Sequence, residues 1–302
     1  MLKRLCEIGL LCVTSTALTA QVTPQSSMVD MGGRKLHVRT AGTARSGVPT
    51  VVFESGLGTP AVFWAGVQSS VAESTRTIAY DRAGVGMSEP ATAPPTVKHV
   101  VGELHALLAK LDAPPPYLLV GHSWGGPLIH SFAATFPREV AALVYIDPTD
   151  FMMTEADILA LWEKAGVKNG REVIAKQVDS PPPGMSPGVL AEAREISRAM
   201  LGGFASLREA GEAPDVPTFV LLAGKFTPPP GSPFPGDFEG YFRAGMEQRV
   251  DHFSRLVQRL TQGTLVVTSK SGHFIHATEP DLVVWAIRRA LASVSRRTAR
   301  PS

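Results

Sequence analysis

The chain has 302 residues, 44% of them hydrophobic and 19% charged, with a formal net charge of +2. That length can bury a large core as one domain with room for an inserted subdomain, and the composition is ordinary for a globular protein. The small charge, with no basic stripe, gives no footing for a nucleic-acid partner, and the late Arg296-Arg297-Thr298-Ala299-Arg300 reads as a solvated tail.

The N-terminus is expected to be an export signal spanning 1–20. Lys3 and Arg4 precede a mostly apolar stretch from Leu5 to Ala20, interrupted by Glu7, and Leu18-Thr19-Ala20 before Gln21 is a passable cleavage site. The stretch is too short and too polar for a membrane span. The expected location is secreted or periplasmic, with no integral span in the mature chain. Both cysteines, Cys6 and Cys12, fall in this leader. A mature chain from Gln21 then has no thiol, which excludes a cysteine nucleophile, a zinc–cysteine site and a disulfide scaffold together.

Short apolar runs then alternate with helical patterns, the signature of a mainly parallel sheet. Ser27 to Met31 and Lys35 to Thr40 read as an opening hairpin joined at Gly32-Gly33. Six further strands are expected at Thr50 to Glu54, Arg76 to Asp81, Tyr117 to His122, Ala141 to Asp147, Pro217 to Ala223 and Gly263 to Ser269. The clearest helix runs from Thr96 to Leu111. Val97, Val100, Val101, Leu104, Leu107, Leu108 and Leu111 fall on one face, Thr96 can cap the start, and Pro114-Pro115-Pro116 prevents continuation. His99 and His105 lie off that stripe and are expected to face solvent.

Between the sixth and seventh strands, 148–215 is far longer than a usual connection in an α/β fold. Helical patterns at Glu155 to Gly166, Arg171 to Val178 and Gly188 to Leu201, broken at Pro181-Pro182-Pro183-Gly184, predict a helical cap. The core is then 27–147 together with 216–296. Thr227 to Gly236, rich in proline and glycine, is expected to be a surface loop.

Gly121-His122-Ser123-Trp124-Gly125 carries the chemistry. It follows the apolar strand Tyr117-Leu118-Leu119-Val120 and precedes a helical run from Gly126 to Ala134. A serine between two glycines at a strand-to-helix turn is a nucleophile elbow, with the hydroxyl exposed at the sheet's carboxyl edge and at a helix N-terminus. Serine at its free pKa is a poor nucleophile and needs a base. Ser271-Gly272-His273-Phe274 lies between the last strand and the last helix, so His273 is the expected base. His276, on the same loop, is expected to line the pocket or pack locally. The His122 side chain is expected to point away from Ser123.

Together these motifs resemble the α/β-hydrolase superfamily, in its capped group related to haloalkane dehalogenases, epoxide hydrolases, C–C hydrolases and esterases. The resemblance covers roughly Val29 to Ala292. It rests on Gly56-Leu57-Gly58, on Tyr80-Asp81-Arg82-Ala83-Gly84-Val85-Gly86-Met87-Ser88, on the elbow and on Gly272-His273-Phe274. It implies an eight-stranded mostly parallel sheet flanked by helices, a cap after strand 6, a Ser–acid–His triad in that order, and no cofactor or metal. Dehalogenases and epoxide hydrolases place aspartate at the elbow, whereas serine gives an acyl-enzyme. The resemblance puts the oxyanion donors at the backbone N–H groups of Trp124 and Leu57. Many relatives carry His-Gly in that loop; this chain has Glu54-Ser55-Gly56, and Glu54 is expected to be buried and hydrogen-bonded. Most relatives place the acid after the seventh strand, but here that turn reads Gly224-Lys225-Phe226-Thr227. Asp147, after the sixth strand, is the expected acid, with Asp150, Asp237 and Glu239 as alternatives. Asp81 and Arg82 are expected to form a structural ion pair and turn network.

The implied activity is hydrolysis of a small-molecule carboxylic ester. A lactone, an amide or a C–C bond is the alternative for the same triad, and a non-catalytic binding protein is the rival from another class. Met152, Trp162 and Phe204, with Met153, Leu161 and Met200, either line an apolar pocket or form the core of the cap.

Overall fold

The computed structural model describes residues 22–179, 184–228 and 236–298. The expected leader at 1–20, with Cys6 and Cys12, lies outside the described residues, as do the prolines at 181–183.

Eight strands form one sheet in the order β1-β2-β4-β3-β5-β6-β7-β8. They are β1 (Gln25–Asp30), β2 (Lys35–Ala41), β3 (Thr50–Glu54), β4 (Thr77–Tyr80), β5 (Tyr117–His122), β6 (Val140–Ile146), β7 (Thr218–Ala223) and β8 (Gly263–Thr268). β1 pairs antiparallel with β2, and β2 antiparallel with β4; every other pairing is parallel. The hairpin turn uses Gly32 and Gly33 at φ 89° and 100°, a region that glycine enters without strain.

The helices are α1 (Ala65–Ala72), α2 (Val97–Lys110), α3 (Gly125–Thr135), α4 (Glu155–Lys164), α5 (Gly170–Asp179), α6 (Pro187–Leu201), α7 (Ala205–Glu209), α8 (Phe238–Gln258), α9 (Ile275–Thr278) and α10 (Pro280–Thr298). Thr96 caps α2 by accepting from the His99 N–H, as its sequence position implies. Central strands are buried on both faces, which is why they read as unbroken apolar runs. Val52, Leu119, Leu143 and Tyr145 pack toward α2 and α3. Val51, Phe53, Val120 and Ile146 pack toward α1 and α10.

Four helices, α4 to α7, lie between β6 and β7, where the sequence indicates three. The unexpected α7 has five residues and starts after Phe204, whose φ is 54°. The larger departure is α8, a 21-residue helix absent from the sequence reading. Gly240 and Gly245 weaken its helical pattern, yet Asp237 caps it by accepting from the Gly240 N–H at 2.9 Å. His99 and His105 are half-buried rather than free in solvent: the His105 ring stacks on Phe136 at 4.0 Å and meets Glu139 at 3.1 Å.

Helix α6 presses directly on two core loops. Val189 occupies the space that a side chain at Gly58 would need, and Gly188 meets Gly84 backbone to backbone. Ser186 Oγ donates to the Gly84 carbonyl at 3.3 Å. Alanine normally gains about 1 kcal/mol over glycine inside a helix. At 188 the added Cβ would overlap the Gly84 carbonyl oxygen, so Gly188→Ala should instead destabilise by about 1–3 kcal/mol. Thermal denaturation checks this: the midpoint should fall, and an unchanged or higher midpoint would show that the seam tolerates a methyl group.

Candidate active site

The elbow is built from backbone contacts. Ser123 has φ 52°, a conformation that costs a non-glycine residue about 1–2 kcal/mol. A Cβ on Gly121 would overlap the Gly125 carbonyl, and a Cβ on Gly125 would overlap the Glu54 carbonyl of β3. Both glycines are therefore steric requirements of the turn. Ser123 N–H donates to Ile146 O at 3.1 Å, and its carbonyl accepts from Thr149 N–H at 3.0 Å, which ties the turn to the end of β6.

Three side chains meet above this turn. His273 Nε2 lies 2.9 Å from Ser123 Oγ, and His273 Nδ1 lies 2.6 Å from Asp147 Oδ2. Asp147 follows β6 with φ 40°. Its other oxygen accepts from Ala223 N–H at 2.9 Å and from Arg249 Nη2 at 2.7 Å. Burial opposes the Asp147 charge, but Arg249, the His273 hydrogen bond and the Ala223 amide outweigh it and hold the carboxyl well below the usual range. The alternative acids lie elsewhere. Asp150 pairs with His252 at 2.8 Å, Asp237 caps α8, and Glu239 pairs with Arg243 one turn along that helix.

The His273 loop rests on buried aromatic rings. His122 is buried and points under this loop: its Nε2 lies 2.9 Å from the His273 carbonyl, and its ring lies 4.5 Å from His276. Burial, with the neighbouring His273 and His276, pushes the His122 pKa well down, so the ring is neutral and donates from Nε2. His276 packs locally on Trp64 at 4.7 Å, and burial followed by the His273 charge lowers its pKa to about 4.

The loop after β3 lies against the elbow, since a Cβ on Gly56 would sit 3.1 Å from Ser123 Cβ. The N–H groups of Leu57 and Trp124 have no hydrogen-bond partner among the described residues. Below the loop is a buried charge cluster. Arg82 donates to Glu54 Oε1 at 2.5 Å, to the Ser55 and Gly56 carbonyls at 2.7 Å each, and to both oxygens of Glu192 at 2.5 and 3.0 Å. Tyr80 OH donates to Glu54 Oε2 at 2.7 Å. Burial opposes the Arg82 charge, but Glu192 and Glu54 more than offset this and keep it protonated. Glu54 is buried and hydrogen-bonded as the sequence indicates. The expected Asp81–Arg82 ion pair is not what forms. Asp81 instead accepts from the Ala61 and Met87 amides and meets His37 at 2.9 Å, a turn network separate from Arg82.

The three residues considered for the pocket are dispersed. Trp162 is 5% exposed and packs on Gly170 and Tyr241; Phe204 is 1% exposed in the same interior. Met152 lines a cavity of about 460 Å³ with Tyr145, Phe151, Leu207 and Leu256, and none of Ser123, His273 or Asp147 lines it. Sequence reasoning missed Arg249 and Glu192, which approach the site from 102 and 110 residues away from their partners. Among the described residues no cluster of three or more His, Cys, Asp or Glu could hold a metal ion, and no helix is long and apolar enough to cross a membrane.

A sequence profile for the alpha/beta hydrolase fold matches residues 49–171. The protein YqjL of Bacillus subtilis (strain 168) is 37% identical over 103 residues, covering 34% of this chain and 40% of that protein. The chain thus matches less than half the length of that relative. A haloalkane dehalogenase loop variant, DbeA-M1 from Bradyrhizobium elkanii, superposes with a TM-score of 0.65 at 18% identity, over 92% of this chain and 100% of that one. The carboxylesterase CesB from Bacillus subtilis gives a TM-score of 0.55 at 15% identity, over 89% and 91%. At these identities the likeness to the two structures is one of fold.

The lowered His276 pKa has a consequence for stability. In the unfolded chain the ring takes up a proton as pH falls through about 6.5, while the folded protein refuses it until about 4. Between those values the unfolded state binds more protons, so acidification favours unfolding. His122 acts in the same direction. The melting temperature should fall from pH 7 to pH 5, and His276→Gln should flatten that slope. An unchanged slope in the variant would show that His276 is not the titrating group.

Proposed function

We propose that this chain, which has the alpha/beta-hydrolase fold, is a serine hydrolase cleaving a small carboxylic ester through an acyl-enzyme. The observation that carries this reading is the continuous chain Ser123–His273–Asp147, with contacts of 2.9 and 2.6 Å. Ser123 Oγ attacks the ester carbonyl carbon as His273 Nε2 takes its proton. The carbonyl oxygen gains the negative charge and receives the Leu57 and Trp124 N–H groups. Collapse of the tetrahedral intermediate breaks the bond to the alcohol, and His273 returns the proton to the leaving oxygen. A water then repeats the cycle: His273 takes its proton, the hydroxide adds to the acyl carbon, and Ser123 leaves with that proton as the carboxylic acid is released. Asp147 holds the proton on Nδ1 and stabilises the imidazolium, while Arg249 and the Ala223 amide hold Asp147.

A fluorophosphonate probe should label the wild type at Ser123 and leave Ser123→Ala unlabelled. On a panel of esters graded by acyl length, with lactones and amides included, Ser123→Ala and His273→Ala should lose at least about 10³-fold in kcat. Asp147→Asn, which favours the wrong tautomer, should lower kcat by up to ~10⁴. Asp237→Asn and Glu239→Gln should stay within about tenfold of wild type. A folded wild type that neither takes the probe nor turns over any panel member would overturn the reading. Turnover confined to lactones or amides would reassign the bond.

A further inference from the structure

We propose that Arg82 and Glu192 are positioning residues for the oxyanion hole, and that docking of α6 on the core sets the aim of the Leu57 N–H. This rests on the serine-hydrolase reading given above. The Leu57 N–H belongs to the same planar peptide unit as the Gly56 carbonyl, and in a trans peptide the two point in opposite directions. Arg82 Nη2 donates to that carbonyl at 2.7 Å. Holding the oxygen fixes the rotation of the whole plane, and with it the direction of the N–H on the other side. The same hydrogen bond polarises the amide and strengthens its N–H as a donor.

The guanidinium itself has no freedom to turn. A guanidinium carries five N–H donors, and all five are engaged: two on Glu192, one on Glu54, and one each on the Ser55 and Gly56 carbonyls. Glu192 Oε2 also accepts the Gly58 N–H at 3.1 Å. The loop is therefore gripped on both sides of Leu57, by Arg82 at 55 and 56 and by Glu192 at 58. Glu192 belongs to α6, whose neighbouring Val189 fills the space over Gly58. Arg82, Glu54 and Glu192 are 3%, 1% and 2% exposed. A buried ion cluster of this kind is a poor source of stability compared with apolar packing. Its placement around one peptide plane fits a role in geometry.

Glu192→Gln and Arg82→Lys test the proposal in the full-length protein. Glutamine keeps the shape of Glu192 but removes its charge and sets an NH₂ group against donors; lysine keeps the charge of Arg82 but cannot span the five acceptors. Three readouts are compared with wild type: kcat and KM on its best ester, the inhibition constant of an alkyl boronic acid, and the melting temperature. The boronate adduct on Ser123 is tetrahedral and places an oxygen in the hole. Complete loss of one oxyanion donor costs about 10²–10³-fold, so mis-aiming should lower kcat in Glu192→Gln by about ten- to a hundredfold. KM should stay within about threefold, and boronate affinity should fall by the same factor as kcat/KM. Arg82→Lys should move the same readouts further in the same direction; if it does not fold, Glu192→Gln carries the test. Unchanged kcat and boronate affinity in folded Glu192→Gln would overturn the proposal, whatever its melting temperature. So would a loss seen entirely in KM. An inert, unlabelled wild type would instead be a failure of the hydrolase reading itself.

Discussion

The backbone of Ser123 is held at φ 52° between two strands and a helix that touch without side chains. Gly121 lies against the Gly125 carbonyl, and Gly125 lies against the Glu54 carbonyl of β3. Contacts between main chains have no rotamers to absorb displacement, so β3, β5 and α3 meet in one arrangement. The Ser123 amide on Ile146 O adds β6 to the same junction. The positive φ costs about 1–2 kcal/mol, a small sum beside the burial of strands that are apolar on both faces. Ser123, the loop after β3 and Asp147 each start from the carboxyl end of a strand in this junction. Their mutual distances follow from the sheet rather than from the loops.

Most of this was legible in the sequence because its signals are local. The strands announce themselves as apolar runs, the elbow as a serine between glycines, and His273 as a loop histidine after the last strand. Asp147 could be reached because Gly224-Lys225-Phe226-Thr227 offers no carboxylate, and the structure shows what that turn does instead. Gly224 N–H donates to Thr268 O at 2.7 Å, Lys225 N–H to Ser271 O at 3.2 Å, and Thr227 fills the space beside Gly272. This turn braces the loop that carries His273.

What escaped the sequence depends on contacts between distant segments. Arg249 reaches Asp147 across 102 residues, from a helix whose glycines at 240 and 245 mask its period. Its cap at Asp237 and the spacing of Tyr241, Met246, Val250, Phe253 and Val257 were the available signals. Glu192 was invisible for a related reason: on α6 it is one of two glutamates, flanked by Ala191 and Ala193, and it reaches Arg82 through the close packing of α6 on the loop at Gly84. Trp162 and Phe204 illustrate a third limit. Helical spacing shows that a side chain is buried against something, but not whether that something is protein or ligand.

Helix α8 reads the segment after β6 at two points. Arg249 takes Asp147 and His252 takes Asp150, so residues three apart on the helix meet residues three apart on the loop. The Asp150 hydrogen bond leads in raising the His252 pKa, so this second contact tightens as the ring gains its proton. Two teeth at matched spacing act as a key in a lock. Sliding α8 by one turn, about 5.4 Å, would withdraw both side chains from both carboxylates at once. The seating of one surface helix and the ionic balance around Asp147 are thus a single mechanical variable.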